Sequence, residues 1–189
     1  HDALPIYYTP HIIKKIEGKP IDKKFTTKHV TTIDRKYFSP IIDGLFDVYN
    51  LGTAYHLKVE GIDICGKTGT AENFAKIGGK RTQLEDHSIF VAFAPKNNPK
   101  IAIAVMVENG GFGATIAGPI ASLMIEKYLR KKITRTDLET RILNKSLQGQ
   151  YAKLGGLSES VKSEMRKQDS IFKSKTIVPK IKKDTTKQN

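Results

Sequence analysis

Leu57-Lys58-Val59-Glu60-Gly61-Ile62-Asp63-Ile64-Cys65-Gly66-Lys67-Thr68-Gly69-Thr70-Ala71-Glu72 can be read in two ways, and each reading gives a different fold. As a string, Gly61 to Thr68 matches the phosphate-binding P-loop, two glycines with four residues between them followed by Lys-Thr. The physical pattern is different. A P-loop wraps flexible glycine-rich backbone around phosphate and opens a helix at the Lys-Thr. Here the intervening residues are Ile62-Asp63-Ile64-Cys65, which alternate as in a strand, and Gly69 follows Thr68 at once. Leu57 to Glu72 therefore reads as a strand, with Lys67 and Gly69 on one side and Thr68 and Thr70 on the other. On an edge strand, Gly69 would leave room for an extended peptide to pair with the backbone. The Lys67 ammonium would add positive field for a carboxylate.

Working outward, Ser88 to Ala94 and Lys100 to Val107 are apolar strands separated by the turn residues Pro95-Lys96-Asn97-Asn98-Pro99, an antiparallel hairpin. Apolar residues at successive positions predict a central hairpin covered on both faces. Asn73 to Asp86, with Gly78-Gly79 and many charges, reads as an exposed loop. Upstream, Ser39-Pro40 announces a helix carrying Ile41, Ile42, Leu45, Phe46, Val48 and Tyr49, ended by Gly52. Ile6 to Ile16 is β-branched and aromatic and reads as a strand or extended segment closed by a turn at Glu17 to Pro20. Downstream, Glu108 to Gly113 is a loop leading into a helix with Ile116, Ile120, Leu123, Met124 and Tyr128 on one stripe. Lys127, Arg130, Lys131 and Lys132 crowd its C-terminal end, where the helix dipole favours cations. A weaker helix is expected over Asp137 to Leu147. The sum is an α+β domain, an antiparallel sheet covered by helices.

Of the 189 residues, 32 are Lys or Arg and 19 are Asp or Glu, a formal charge of +13. Residues 131–189 hold 15 of the basic and 6 of the acidic residues. They are poor in large apolar side chains after Leu157, which predicts a basic, largely disordered tail over 133–189 with a possible short helix, after a domain spanning 1–132. Only Tyr151 and Phe172 are aromatic after Tyr128, too few for interleaving with the basic residues, so stacking on bases has no support and no nucleic-acid partner is expected. An anionic membrane or cell-wall polymer would attract the same tail. A single cysteine, Cys65, excludes a disulfide framework, and its apolar strand suits a small buried hydrophobe. No apolar run approaches the roughly 20 residues of a membrane span. The first residues, His1-Asp2-Ala3-Leu4, lack a signal-peptide pattern and read as a cut into something longer. Gly111-Phe112-Gly113 is a partial dinucleotide fingerprint with Ile116 where the third glycine would stand, and a plain glycine turn is the better reading.

Several short elements occur in order at sensible gaps: Gly52-Thr53-Ala54, Gly66-Lys67-Thr68-Gly69-Thr70-Ala71-Glu72, Asp86-His87, Phe93-Ala94-Pro95 with Asn97-Asn98-Pro99, and Glu108-Asn109-Gly110-Gly111. Together they resemble the C-terminal part of a class B penicillin-binding protein transpeptidase domain, of the penicillin-binding protein 2 type, over roughly residues 5 to 130. The resemblance implies a serine-type D-Ala-D-Ala transpeptidase that cross-links peptidoglycan stem peptides during elongation, is acylated by β-lactams and works with the elongation machinery. It implies a membrane anchor upstream of this chain, a catalytic domain in the periplasm, and no cofactor or metal. By the same resemblance Lys67 supplies catalytic electrostatics. Thr68 and Thr70 bind the substrate carboxylate, the Thr70 amide serves an oxyanion hole, and Gly69 gives clearance. Asp86 and His87 are read as structural.

Such an enzyme also needs a nucleophile in Ser-x-x-Lys and a Ser-x-Asn or Ser-x-Asp, both before the Lys-Thr-Gly strand. The only Ser-x-x-Lys is Ser170-Ile171-Phe172-Lys173, downstream in the tail and out of order, and no Ser-x-Asn or Ser-x-Asp occurs. The chain is therefore expected to be a C-terminal piece of a longer enzyme and inactive by itself. Two alternatives remain beside this reading, a P-loop nucleotide-binding protein and a non-catalytic binding module with a basic arm.

Overall fold

The computed structural model describes residues 6–152 together with Ser163 and Lys167. Its centre is one antiparallel sheet built from β3 (Cys65–Ala71), β6 (His87–Ala94) and β7 (Ile101–Val107), in the order β3-β6-β7. Register is continuous: Lys67 faces Val91 and Val91 faces Ala104, while Thr68 faces Phe90 and Phe90 faces Val105. Two-residue alternation therefore sends Thr68, Phe90 and Val105 to one face and Lys67, Val91 and Ala104 to the other.

Both long helices lie against the Phe90 face. In α2 (Phe38–Asn50), Tyr49 meets the Phe90 ring edge-on at 5.8 Å between centroids. In α3 (Ala117–Arg130), the first amide donates to Ser88 Oγ, and Ala121 and Ile125 are fully buried in the same core. Phe90 itself is inaccessible to water, a burial that stabilises by about 2–3 kcal/mol. The chain is α+β, as its patterning requires.

The hairpin is not covered on both faces. Val91 is 45 % exposed and Met106 58 % exposed. Strand β7 is an edge whose residues alternate between half-buried and exposed. Its alanines at 102 and 104 are small enough to satisfy an apolar run without needing a second layer. Met124 and Tyr128, assigned to the buried stripe of α3, are about half exposed at 52 % and 49 %; burial instead follows Ala117, Ala121, Ser122, Ile125 and Glu126.

Local departures have local causes. Residues 73–86 form a hairpin and not a loop: β4 (Phe74–Ile77) pairs with β5 (Lys80–Gln83) across Gly78-Gly79, both at positive φ (57° and 82°). That is the glycine pair a tight two-residue turn demands. The long strand expected from Leu57 begins only at Cys65. Before it come a 3₁₀ turn at Tyr55–Leu57 and a Val59–Ile62 bridge, closed around Gly61 at φ 67°. Ser39 does not cap its helix, because a 3₁₀ turn at Arg35–Tyr37 runs straight into α2 and the capping side chain is Asp34, accepting from the Lys36 amide at 2.9 Å. The N-terminal extended segment is a strand only at β1 (Ile6–Tyr7), which pairs with β2 (His29–Val30); between them α1 (Lys23–Thr26) forms one turn.

The packed body does not stop at residue 132. Arg135 and Thr134 bond to the buried Glu126, and Leu138 of α4 (Thr136–Leu143) packs on the core. A further short helix, α5 (Gln148–Ala152), ends the continuous described chain. The expected tail beyond it, including Ser170 and Lys173, lies outside the described residues.

Candidate active-site edge

Lys67, Thr68, Gly69 and Thr70 all lie in the middle of β3, and β3 is the edge strand of its sheet opposite β7. Strand runs on both sides of Lys67, so no helix opens there and the P-loop reading fails. Lys67 and Thr70 are exposed, with Thr68 and Gly69 half-buried.

An antiparallel edge strand directs alternate residues' N–H and C=O groups at its neighbour and the others outward. The Thr68 carbonyl accepts from Lys67 Nζ at 2.9 Å, which places that carbonyl on the free side. By alternation the Thr70 backbone groups share that side. The edge thus carries an ammonium, two hydroxyls and an outward amide within four residues, with no side chain at Gly69. A Cβ at Gly69 would sit 3.2 Å from Ile89 Cβ.

Two glycines hold the strand close to its supports. A Cβ at Gly66 would meet Phe90 Cε1 at 2.9 Å and Tyr49 Cε2 at 3.0 Å. A Cβ at Gly113, in the loop between β7 and α3, would fall 2.3 Å from the Ile89 carbonyl oxygen and 2.7 Å from that of Gly69. The Gly111-Phe112-Gly113 turn is therefore a support pressed beneath the strand. Phe112 points out, 73 % exposed, while its carbonyl accepts from Ser88 Oγ at 3.0 Å.

Asp86 and His87 stand at the start of β6, where His87 pairs with Ala71. His87 Nδ1 accepts from the Asn109 amide at 3.1 Å, and the Asp86 carbonyl accepts from the Gly111 amide at 2.8 Å. Both bonds brace the loop after β7, in which the buried Asn109 takes a left-handed φ of 54°. Asn73 Nδ2 donates to Asn109 Oδ1 at 2.6 Å, a tie across 36 residues that no sequence pattern announces.

One neighbour of the edge was legible only as part of a flank. Thr53, in the turn after α2, places its Oγ1 3.4 Å from Thr68 Oγ1. Cys65, at the start of β3, is fully buried and its thiol faces the Ile42 carbonyl at 3.7 Å. Burial pushes the thiol up to about 11, with the nearby Lys96 charge acting in the opposite direction. At pH 7.5 a titration with a thiol-reactive disulfide is expected to modify Cys65 at least about 100-fold more slowly in the folded chain than in urea, since little thiolate forms and none is accessible; equal rates would contradict this placement. Among the described residues no cluster of three or more His, Cys, Asp or Glu side chains could hold a metal.

The three-stranded antiparallel sheet is thus backed by helices on one face and carries Lys-Thr-Gly-Thr on its open edge. Residues 6–126 match the penicillin binding protein transpeptidase domain family, and the chain belongs to that family. Its similarity is to members of the penicillin-binding protein 2 type. It is 28 % identical over 142 residues to the peptidoglycan D,D-transpeptidase MrdA of Haemophilus influenzae, covering 68 % of this chain and 22 % of that protein. It is 38 % identical over 131 residues to the peptidoglycan D,D-transpeptidase PbpA of Mycolicibacterium smegmatis, covering 65 % and 26 %. Among solved structures it resembles Pseudomonas aeruginosa PBP2 in complex with WCK 5153, at 30 % identity and a TM-score of 0.52, covering 71 % of this chain and 29 % of that one. The chain thus spans about a fifth to a quarter of the length of the curated relatives it matches.

Proposed function

We propose that this chain supplies the Lys-Thr-Gly wall of the active-site cleft of a serine-type peptidoglycan D,D-transpeptidase that cross-links stem peptides during cell elongation and is acylated by β-lactams. The observation that carries the reading is the placement of Lys67, Thr68, Gly69 and Thr70 on an open sheet edge. An extended stem peptide lies antiparallel to β3 and takes main-chain hydrogen bonds from it. Gly69 gives the peptide backbone room. The hydroxyls of Thr68 and Thr70 donate to its terminal carboxylate, and Lys67 lowers the energy of that anion. The outward Thr70 amide donates to the oxyanion that forms when the acyl carbon turns tetrahedral.

The attacking serine and its lysine have no candidate in suitable order within the 189 residues. The reading therefore places the nucleophile on sequence outside this chain and leaves the chain alone inactive. The same reading puts the parent at the inner membrane with its catalytic domain in the periplasm and the elongation machinery as partner; no helix among the described residues is long and apolar enough to cross a membrane.

Acylation by a fluorescent penicillin tests this. The full-length protein carrying this chain should be labelled and the isolated chain should not. Lys67→Ala and Thr68→Val should each lower the second-order labelling rate by roughly 100-fold, the loss typical of removing one preorganised electrostatic donor. An unlabelled full-length protein, or variants labelled at the parent rate, would refute the proposal.

A further inference from the structure

We infer that Thr53 is a positioning residue for carboxylate recognition: its hydroxyl donates to Thr68 Oγ1 and so commits the Thr68 proton to the substrate anion. The inference rests on the transpeptidase reading above and adds a residue to it.

The geometry begins at the end of α2. The Leu51 and Gly52 amides both donate to the Asp47 carbonyl, at 2.8 and 2.9 Å, and the Ala54 amide donates to the Val48 carbonyl at 3.0 Å. The chain thus folds back on the last helical turn, where a Cβ at Gly52 would sit 2.9 Å from Val48 Cα. Ala54 and Leu57 are fully buried just beyond. The Leu57 carbonyl is gripped in turn by Ser122 Oγ at 2.6 Å and Arg135 Nη1 at 3.0 Å. Thr53 is therefore an exposed residue on a short loop anchored on both sides, and its Oγ1 stands 3.4 Å from Thr68 Oγ1.

A hydroxyl has one proton to give and two lone pairs to receive with. While the site is free, either threonine can donate to the other. A carboxylate accepts only, so once it engages Thr68 the Thr68 proton must point at the anion. The contact then survives in one direction only, Thr53 to Thr68. That direction removes the competing rotamer of Thr68 and polarises its O–H toward the charge. At 3.4 Å the contact is long and has room to shorten when a carboxylate engages Thr68.

The test uses the full-length protein and two probes, a fluorescent penicillin with its free carboxylate and the methyl ester of the same compound. Thr53→Val keeps the shape and removes the hydroxyl; it should slow acylation by the free acid about 10-fold and leave acylation by the ester unchanged. Thr53→Ser should return the rate to within about 2-fold of the parent. Thr53→Val at the parent rate, while Thr68→Val is slow, overturns the inference and leaves the transpeptidase reading intact. Equal slowing for acid and ester also overturns it, since that is the mark of general disturbance. A parent protein that takes no label, or a Thr68→Val variant as fast as the parent, removes the transpeptidase reading and this inference with it.

Discussion

Gly113→Ala is expected to destabilise the chain by about 3 kcal/mol, the upper part of the range for forcing volume into a packed site. The three nearest atoms to the added methyl are the carbonyl oxygens of Ile89 and Gly69, at 2.3 and 2.7 Å, and the Gly69 amide nitrogen at 3.1 Å. All are backbone atoms of one paired position in the β3–β6 ladder. A side chain in the way would rotate aside, but these atoms move only if the ladder or the loop moves. Lifting the loop would strain the Gly118 amide bond to the Gly113 carbonyl, 2.8 Å, and the Ser88 bond to the Phe112 carbonyl. Pushing the strand would displace Gly69, at the middle of the proposed substrate edge. Gly44→Ala is the control: Gly44 is exposed inside α2, and its added Cβ meets nothing within 4 Å. It should stabilise the chain by about 0.5–1 kcal/mol through helix propensity. Urea denaturation of the two variants beside the parent gives both numbers, and a Gly113→Ala within about 0.5 kcal/mol of the parent would show that the loop does not press on the sheet.

The features that sequence made legible are those with a strong period. The β6–β7 hairpin and the strand around Lys67 were readable because a run of seven or eight residues with this patterning suits an extended chain and little else. The β4–β5 hairpin had its turn in plain view at Gly78-Gly79, but Lys80-Arg81-Thr82-Gln83 is entirely exposed, so no buried face marked it as a strand. The open side of the sheet was hidden for the opposite reason, because alanines at 102 and 104 look apolar without needing cover. At the candidate site, Lys67 to Thr70 could be found as one continuous motif on an edge strand. Thr53 could not, since its partner is 15 residues away and the approach depends on how α2 ends. Glu126 was the deepest miss. One position before Lys127, near the basic end of α3, it has the sequence look of a solvated charge, yet it is completely buried.

That burial leads to the other large effect. Arg135→Ala, or a chain ended after Lys132, is expected to lose about 3–5 kcal/mol at pH 7, the usual result of stranding one partner of a buried ion pair. Glu126 takes bonds from the Thr134 amide at 2.9 Å and the Thr134 hydroxyl on Oε1, and from Arg135 Nε at 2.9 Å on Oε2. The same guanidinium reaches Ser122 Oγ at 2.9 Å and the Leu57 and Lys58 carbonyls at 3.0 and 3.3 Å. Arg130 closes the group, 3.8 Å from Oε1 and bonded to the Glu60 carbonyl. Burial alone would raise the Glu126 pKa, but the hydrogen bonds from Thr134 and Arg135 outweigh it and hold the carboxyl below its ordinary value. A folded pKa below the unfolded one, about 4.3, means a stabilising contribution that is complete above that pH. The contribution is lost as pH falls through the unfolded value toward the folded one. In a chain ended after Lys132 the Thr134 and Arg135 bonds are all gone and burial dominates, so the carboxyl titrates upward and the sign reverses: acid then relieves a stranded charge; Arg135→Ala, which keeps the Thr134 bonds, moves in the same direction by less. The stability gap between parent and variant should therefore be widest at neutral pH and narrow below about pH 4. Urea midpoints for both proteins across pH 3 to 7 give the comparison, and a gap under about 1 kcal/mol, or one that does not change with pH, would mean that Glu126 is not held as a buried carboxylate by the residues after 132.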